Sequence, residues 1–155
     1  PLPLALMYNS SCSLSAARAR ARAVAPSKLL YSRFDLGGWD IQTRMGGRWN
    51  RRRPLMSVMR KQGFPNMTAR GVVDRISKEV FREAILNSQF VLCPPGEGLD
   101  SYRIWETLYL GRVPLVGTAL GAKDGNAALP MELFEDVPHV FVEDWNQLTP
   151  ATLEQ

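Results

Sequence analysis

The chain has 155 residues, of which 45% are hydrophobic and 22% charged, with a formal net charge of +4 and a pI near 9.4. These are ordinary values for one globular domain, and they exclude an intrinsically disordered or low-complexity polymer. No run of about 20 apolar residues occurs in it, the length that a membrane-spanning helix needs.

In chain order, Leu4 to Tyr8 reads as a first strand, Ser10 to Ser15 as a loop, and Ser15 to Val24 as an Ala/Arg helix. Arg18, Arg20 and Arg22 alternate, so on a helix they fan out instead of forming one stripe. A second strand is expected near Trp39 to Thr43, followed by a basic loop, Gly46 to Pro54, with sequence GGRWNRRRP. That run keeps nucleic-acid binding open as a rival reading, because arginines neutralise phosphates and Trp49 is able to stack on a base. The surrounding charges are mixed and no recognition motif appears, so a solvated face is the better reading of the run, and no nucleic-acid partner is expected. Helices are expected near Leu55 to Gln62 and Lys78 to Asn87, the latter with Val80, Phe81 and Ile85 turned inward.

The segment Phe90 to Val116, FVLCPPGEGLDSYRIWETLYLGRVPLV, carries the most information. An apolar run, Phe90 to Cys93, meets the breakers Pro94, Pro95, Gly96 and Gly98. A helical pattern follows from about Ser101 to Leu110, then Gly111 and a second apolar run, Val113 to Val116. This is a βαβ unit whose strands are continuously apolar, as a parallel sheet covered on both faces requires. The fold class is therefore α/β, a Rossmann-like doubly wound parallel sheet. Ligands of such sheets bind at the carboxyl ends of the strands beside helix N-termini, where the Gly96 to Ser101 turn falls.

Apolar residues surround most of the helix, so it is expected to be largely buried, and Arg103 and Glu106 stand out on it. Lone charges on a buried helix are costly unless something answers them. Either the two pair with each other across three residues, or each meets a ligand: phosphate for the guanidinium fork, vicinal ribose hydroxyls for the carboxylate. Gly111 reads as a helix C-cap and Pro114 as structural. Trp105 and Tyr109 read as core. Downstream, His139 falls at a strand edge, and Asp144 with Trp145 is expected to cap and pack a following helix.

Cys12 and Cys93 do not indicate a disulfide, since Cys93 closes a buried strand and Cys12 lies in a small-residue loop. With one histidine and no Cys/His cluster, zinc is not expected, and no Asp-x-Asp triplet is present to hold a donor-bound metal. No cofactor is implied. Asn9-Ser10-Ser11 and Asn66-Met67-Thr68 are sequons, consistent with a secretory lumen.

The stretch SQFVLCPPGEGLDSYRIWETLYLGRVPLV resembles the C-terminal signature of exostosin-like glycosyltransferases: a strand into a Pro-Gly turn, an Arg-x-x-Glu helix, and a Gly-x-x-Pro strand. The segment LPMELFEDVPHVFVEDWNQLTPATLEQ is similar to the downstream part of that family's domain, so the resemblance covers about Ser88 to Gln155. It implies one half of a GT-B glycosyltransferase, with residues 1–155 forming the C-terminal, donor-binding domain of a longer protein. It implies transfer of a sugar from a nucleotide-sugar donor, commonly a UDP-sugar, to a glycan or glycoprotein acceptor. It also implies a Golgi lumen, with any membrane anchor upstream. Carried over by position, Gly96, Glu97 and Gly98 lie in the turn over the donor, Ser101 and Arg103 at the diphosphate, Glu106 at the ribose, and Arg18 near the donor phosphate. No general base is assigned among Glu97, Asp100, Glu143 and Asp144. A nucleotide-binding module without catalysis is the alternative reading.

Overall fold

A computed structural model of the chain describes residues 19, 22–35, 52–64, 69–70, 76–94, 101–117 and 131–155. Among the described residues four strands form a parallel sheet: β1 (Lys28–Tyr31), β4 (Ser88–Leu92), β5 (Val113–Gly117) and β6 (Val140–Val142), in the order β1-β4-β5-β6. Tyr31 lies opposite Val91, Leu92 opposite Leu115, and Gly117 opposite Val142. Two short strands, β2 (Phe34–Asp35) and β3 (Ala69–Arg70), pair in parallel beside it. The helices are α1 (Arg52–Lys61), α2 (Lys78–Leu86), α3 (Tyr102–Tyr109) and α4 (Pro150–Leu153), with a 3-10 turn at Met131–Phe134.

Both faces of the sheet are covered, and the strands divide their side chains between two cores. Phe90, Leu92 and Leu115 pack with Leu55, Met56 and Met59 of α1 and with Trp145, Leu148 and Leu153. On the other face Val91, Cys93 and Val116 pack with Ile85 and Leu86 of α2, Ile104 of α3, and Phe134. Period-2 alternation on strands buried both ways produces this division, and it is the doubly wound arrangement that the apolar runs predict.

Local chemistry sets the element ends. Ser77 caps α2, its hydroxyl accepting from the Val80 N–H at 3.2 Å. Both α1 and α3 end at a glycine with positive φ, Gly63 (86°) and Gly111 (66°). In each, the glycine N–H bonds three residues back and the next N–H five back: Phe64 to the Met59 carbonyl at 3.2 Å, Arg112 to that of Thr107 at 3.0 Å. Pro114 sits inside the sheet without cost. Leu115 faces β4, its carbonyl accepting from Cys93 at 3.0 Å, so Pro114 faces β6, whose pairing begins only at Leu115.

Several expectations change. Val80 is 55% exposed instead of turned inward. The basic loop expected to reach Pro54 gives way at Arg52, where α1 begins; proline is tolerated in a first turn. Asp144 does not cap α4. Its Oδ1 accepts from the Asn146 backbone and side-chain amides at 2.9 and 2.8 Å, while Thr149 and Thr152 cap the helix reciprocally. Trp145 is core, as expected, and 2% exposed. The expected strands Leu4–Tyr8 and Trp39–Thr43 lie outside the described residues; of the Ala/Arg helix, Ala19, Arg22 and Ala23 are described and helical.

Candidate functional site

At the carboxyl end of the sheet, β1 finishes at Tyr31 and β4 passes into Cys93 and Pro94, while α3 starts with Ser101 in the N-cap position. The Ser101 side chain makes no capping bond, and its Oγ is buried with no hydrogen-bond partner among the described residues. The Tyr31 hydroxyl is in the same state. Burial raises the Tyr31 pKa above its ordinary value, and the Arg103 and Arg33 guanidinium groups hold it down in part.

Arg103, the second residue of α3, reaches across the sheet end toward β1. Its Nη1 donates to the Arg33 carbonyl, two residues past β1, and its guanidinium lies 5.4 Å from the centre of the Phe81 ring on α2. The Phe81 ring is held edge-on by Tyr31, with centroids 6.0 Å apart and planes at 67°. At the other end of the residue, the Arg103 carbonyl accepts from Thr107 Oγ1 at 2.7 Å.

Glu106 lies three residues further along the helix and is half-buried. Burial raises its carboxyl pKa above the ordinary value, opposed first by Arg103 and then by Arg82 and Lys78 of α2. Behind it, the Cys93 thiol is fully buried 3.8 Å from Thr107 Oγ1, and burial pushes its pKa up to about 12. Such a thiol is inert packing at neutral pH. A cleft of about 600 Å³ runs along β1, with Tyr31 and Arg33 in one wall and Gly63, Phe64 and Pro150 in the other. Among the described residues its lining meets the cluster only at Tyr31 and Arg33, and Ser101, Arg103 and Glu106 are not part of it.

The structure thus brings Ser101, Arg103 and Glu106 to one sheet end. Gly96, Glu97, Gly98, Asp100 and Arg18 lie outside the described residues. Helix α3 is less buried than its composition predicts. Among its residues Ile104 and Thr107 are buried, Trp105 and Tyr109 are half-buried, and Tyr102 is 65% exposed, because the helix covers one face of the sheet and leaves its outer side open. Trp105 stacks on Phe134 at 5.9 Å, a packing role. Sequence reasoning missed Phe81, Tyr31 and the Arg33 carbonyl. Phe81 carried the signal of an inward-facing aromatic, which is also the signal of core.

It also passed over Arg112. This 9%-exposed guanidinium follows α3 and donates to the Leu86 carbonyl at 2.9 and 2.6 Å and to that of Val24 at 2.6 Å, tying β5 to the neighbouring connections.

Comparison with known proteins bears on this arrangement. The chain is 28% identical over 118 residues to "Ribitol-5-phosphate xylosyltransferase 1" of Homo sapiens, covering 67% of the chain and 26% of that protein. The Mus musculus and Danio rerio proteins of the same name are 33% and 35% identical over 82 and 79 residues, each match covering 48% of the chain and 18% of the relative. The chain thus spans about a quarter or less of the length of the relatives it matches. Residues 51–155, which hold α1 to α4 and three of the four sheet strands, match the model of the RXYLT1 C-terminal domain. The chain therefore belongs to the RXYLT1 C-terminal domain family.

Proposed function

We propose that this domain is the donor-binding half of a glycosyltransferase that transfers a xylosyl group from UDP-xylose to an acceptor bearing ribitol 5-phosphate. The single observation that carries the reading is the half-buried Arg103 and Glu106 at the carboxyl end of a parallel sheet, in a chain whose relatives are named xylosyltransferases. In sugar transfer the bond between the anomeric carbon and the diphosphate breaks, so negative charge grows on the leaving diphosphate. A guanidinium fixed beside it stabilises that charge without reorganising. In this reading Arg103 binds the diphosphate, the unpartnered Ser101 hydroxyl donates to a phosphoryl oxygen, and Glu106 accepts from the ribose hydroxyls. Gly96, Glu97 and Gly98 form the turn over the donor, and Arg18 lies near its phosphate. The exostosin-like character of the Arg-x-x-Glu motif and a two-domain GT-B enzyme belong to the same proposal. So does a Golgi-lumenal setting with an anchor elsewhere in the protein; among the described residues no helix is long and apolar enough to cross a membrane.

Calorimetric titration of the 155-residue chain with UDP, UDP-xylose, ADP and GDP tests the reading. Saturable binding of UDP and UDP-xylose in preference to the purine nucleotides supports it. A folded chain that binds none of the four overturns it.

A further inference from the structure

Helix α2 reaches the candidate site through Phe81, which sits one turn into a helix fixed at its start by the Ser77 cap and at its end by the buried Ile85 and Leu86. Its backbone N–H bonds to the Ser77 carbonyl at 3.0 Å. The ring is half-buried, is met edge-on by Tyr31 at 6.0 Å, and has the Arg103 guanidinium 5.4 Å from its centre. On α3 an arginine has a long, freely rotating stem, and a hydrogen bond from one Nη to the Arg33 carbonyl leaves the plane of its guanidinium free to turn. An aromatic face within about 6 Å removes that freedom, since its quadrupole attracts the cation and its flat surface sets the plane of the fork.

We infer that Phe81 is a positioning residue for donor binding: its ring and the Arg33 carbonyl together clamp the Arg103 guanidinium in the orientation that meets a nucleoside diphosphate. The inference rests on the reading of Arg103 as the diphosphate ligand. Phe81 itself touches no donor atom. It lowers the entropy that Arg103 loses on binding, and so it acts on affinity through Arg103 alone.

The experiment titrates UDP into the 155-residue chain and into Phe81→Leu, Phe81→Trp and Arg103→Ala variants, with melting temperature measured alongside. NMR titration extends the range to millimolar dissociation constants. Phe81→Leu keeps an apolar side chain and removes the aromatic face, so UDP affinity is expected to fall about threefold to tenfold. Phe81→Trp, with a stronger aromatic face, is expected to restore it, whatever either change does to the melting temperature. In the Arg103→Ala background, Phe81 and Phe81→Leu forms are expected to bind alike. Equal affinities of the Leu and Trp variants, or a loss from Phe81→Leu that persists without Arg103, would overturn the inference and leave Phe81 as packing. If Arg103→Ala itself leaves UDP binding unchanged, or the parent chain binds no UDP, the donor-site reading falls and this inference with it.

Discussion

The two ends of helix α3 are built to opposite rules. At its C-terminal end the polar groups are satisfied: the Leu110 N–H bonds to the Glu106 carbonyl, Gly111 turns at φ 66°, and Arg112 spends its guanidinium on three bonds to two backbone carbonyls. At its N-terminal end the Ser101 hydroxyl and, beside it, that of Tyr31 are buried without partners among the described residues, and Arg103 meets one carbonyl and one ring there; Glu106, midway along the helix, carries a carboxyl with a raised pKa. Burying polar groups without partners costs stability, and a fold keeps such groups where a ligand completes them. One end of the helix is framework and the other carries the proposed site, although each has an arginine at hand.

Substitutions that break this contrast differ in size. The largest effect is expected from Arg112→Ala, which removes three buried charge-assisted bonds to the Leu86 and Val24 carbonyls: about 3 kcal/mol of stability by denaturant unfolding, with no change in the nucleotide affinity of the molecules that remain folded. Next is Gly117→Ala, at the end of β5. A Cβ there would lie 2.4 Å from the Val142 carbonyl oxygen and 2.8 Å from the Trp145 ring, so the backbone of β6 or a core tryptophan must shift. Overpacking of this kind costs about 1 to 3 kcal/mol. That value at the same end of the sheet would sharpen the contrast, since it shows close packing maintained on the strand next to the Ser101 to Glu106 cluster.

The smallest stability effect, with the opposite sign, is expected from Glu106→Gln. The folded-state pKa of this carboxyl is raised, so its contribution to stability is fully present below the unfolded pKa and is lost as pH rises through the folded value. Above the folded-state value the wild-type carboxylate is therefore a burden, and the Gln variant melts at the same temperature or slightly higher. The advantage closes as the pH falls through the window between the two values. UDP affinity is expected to drop about tenfold at the same time, because a neutral amide is a weaker acceptor for ribose hydroxyls. A melting temperature that falls on this change would mark Glu106 as framework.

Much of this was legible in the sequence, for a physical reason. Phe90 to Cys93 and Val113 to Val116 are continuous apolar runs because both their faces are covered, and the structure has them as β4 and β5, paired in parallel. The glycine after α3 announced its C-cap, and a 3.6-residue spacing announced α1 and α2 to within a few residues. Edge strand β1 escaped notice. Lys28–Tyr31 is four residues long and only half-buried, so it has neither a long apolar run nor an alternation. The two-residue strands β2 and β3 have too few residues to carry a period.

At the site, Arg103 and Glu106 stood out as charges on an apolar helix. The surroundings of Arg103 did not, because a backbone carbonyl has no sequence signal and the ring of Phe81 looks like any other core aromatic. Arg112 was overlooked for the related reason that a basic residue after a helix C-cap ordinarily reads as solvent-exposed.

In the proposed reading Arg103 serves a ligand where Arg112 serves the fold. The measurement that tests it most directly is UDP titration of the parent chain and of Arg103→Ala, with denaturant unfolding of both. The expected result for Arg103→Ala is a loss of UDP affinity of about a hundredfold, or roughly 2.7 kcal/mol, with stability changed by no more than about 1 kcal/mol. Unchanged UDP affinity with a stability loss approaching that of Arg112→Ala would contradict it.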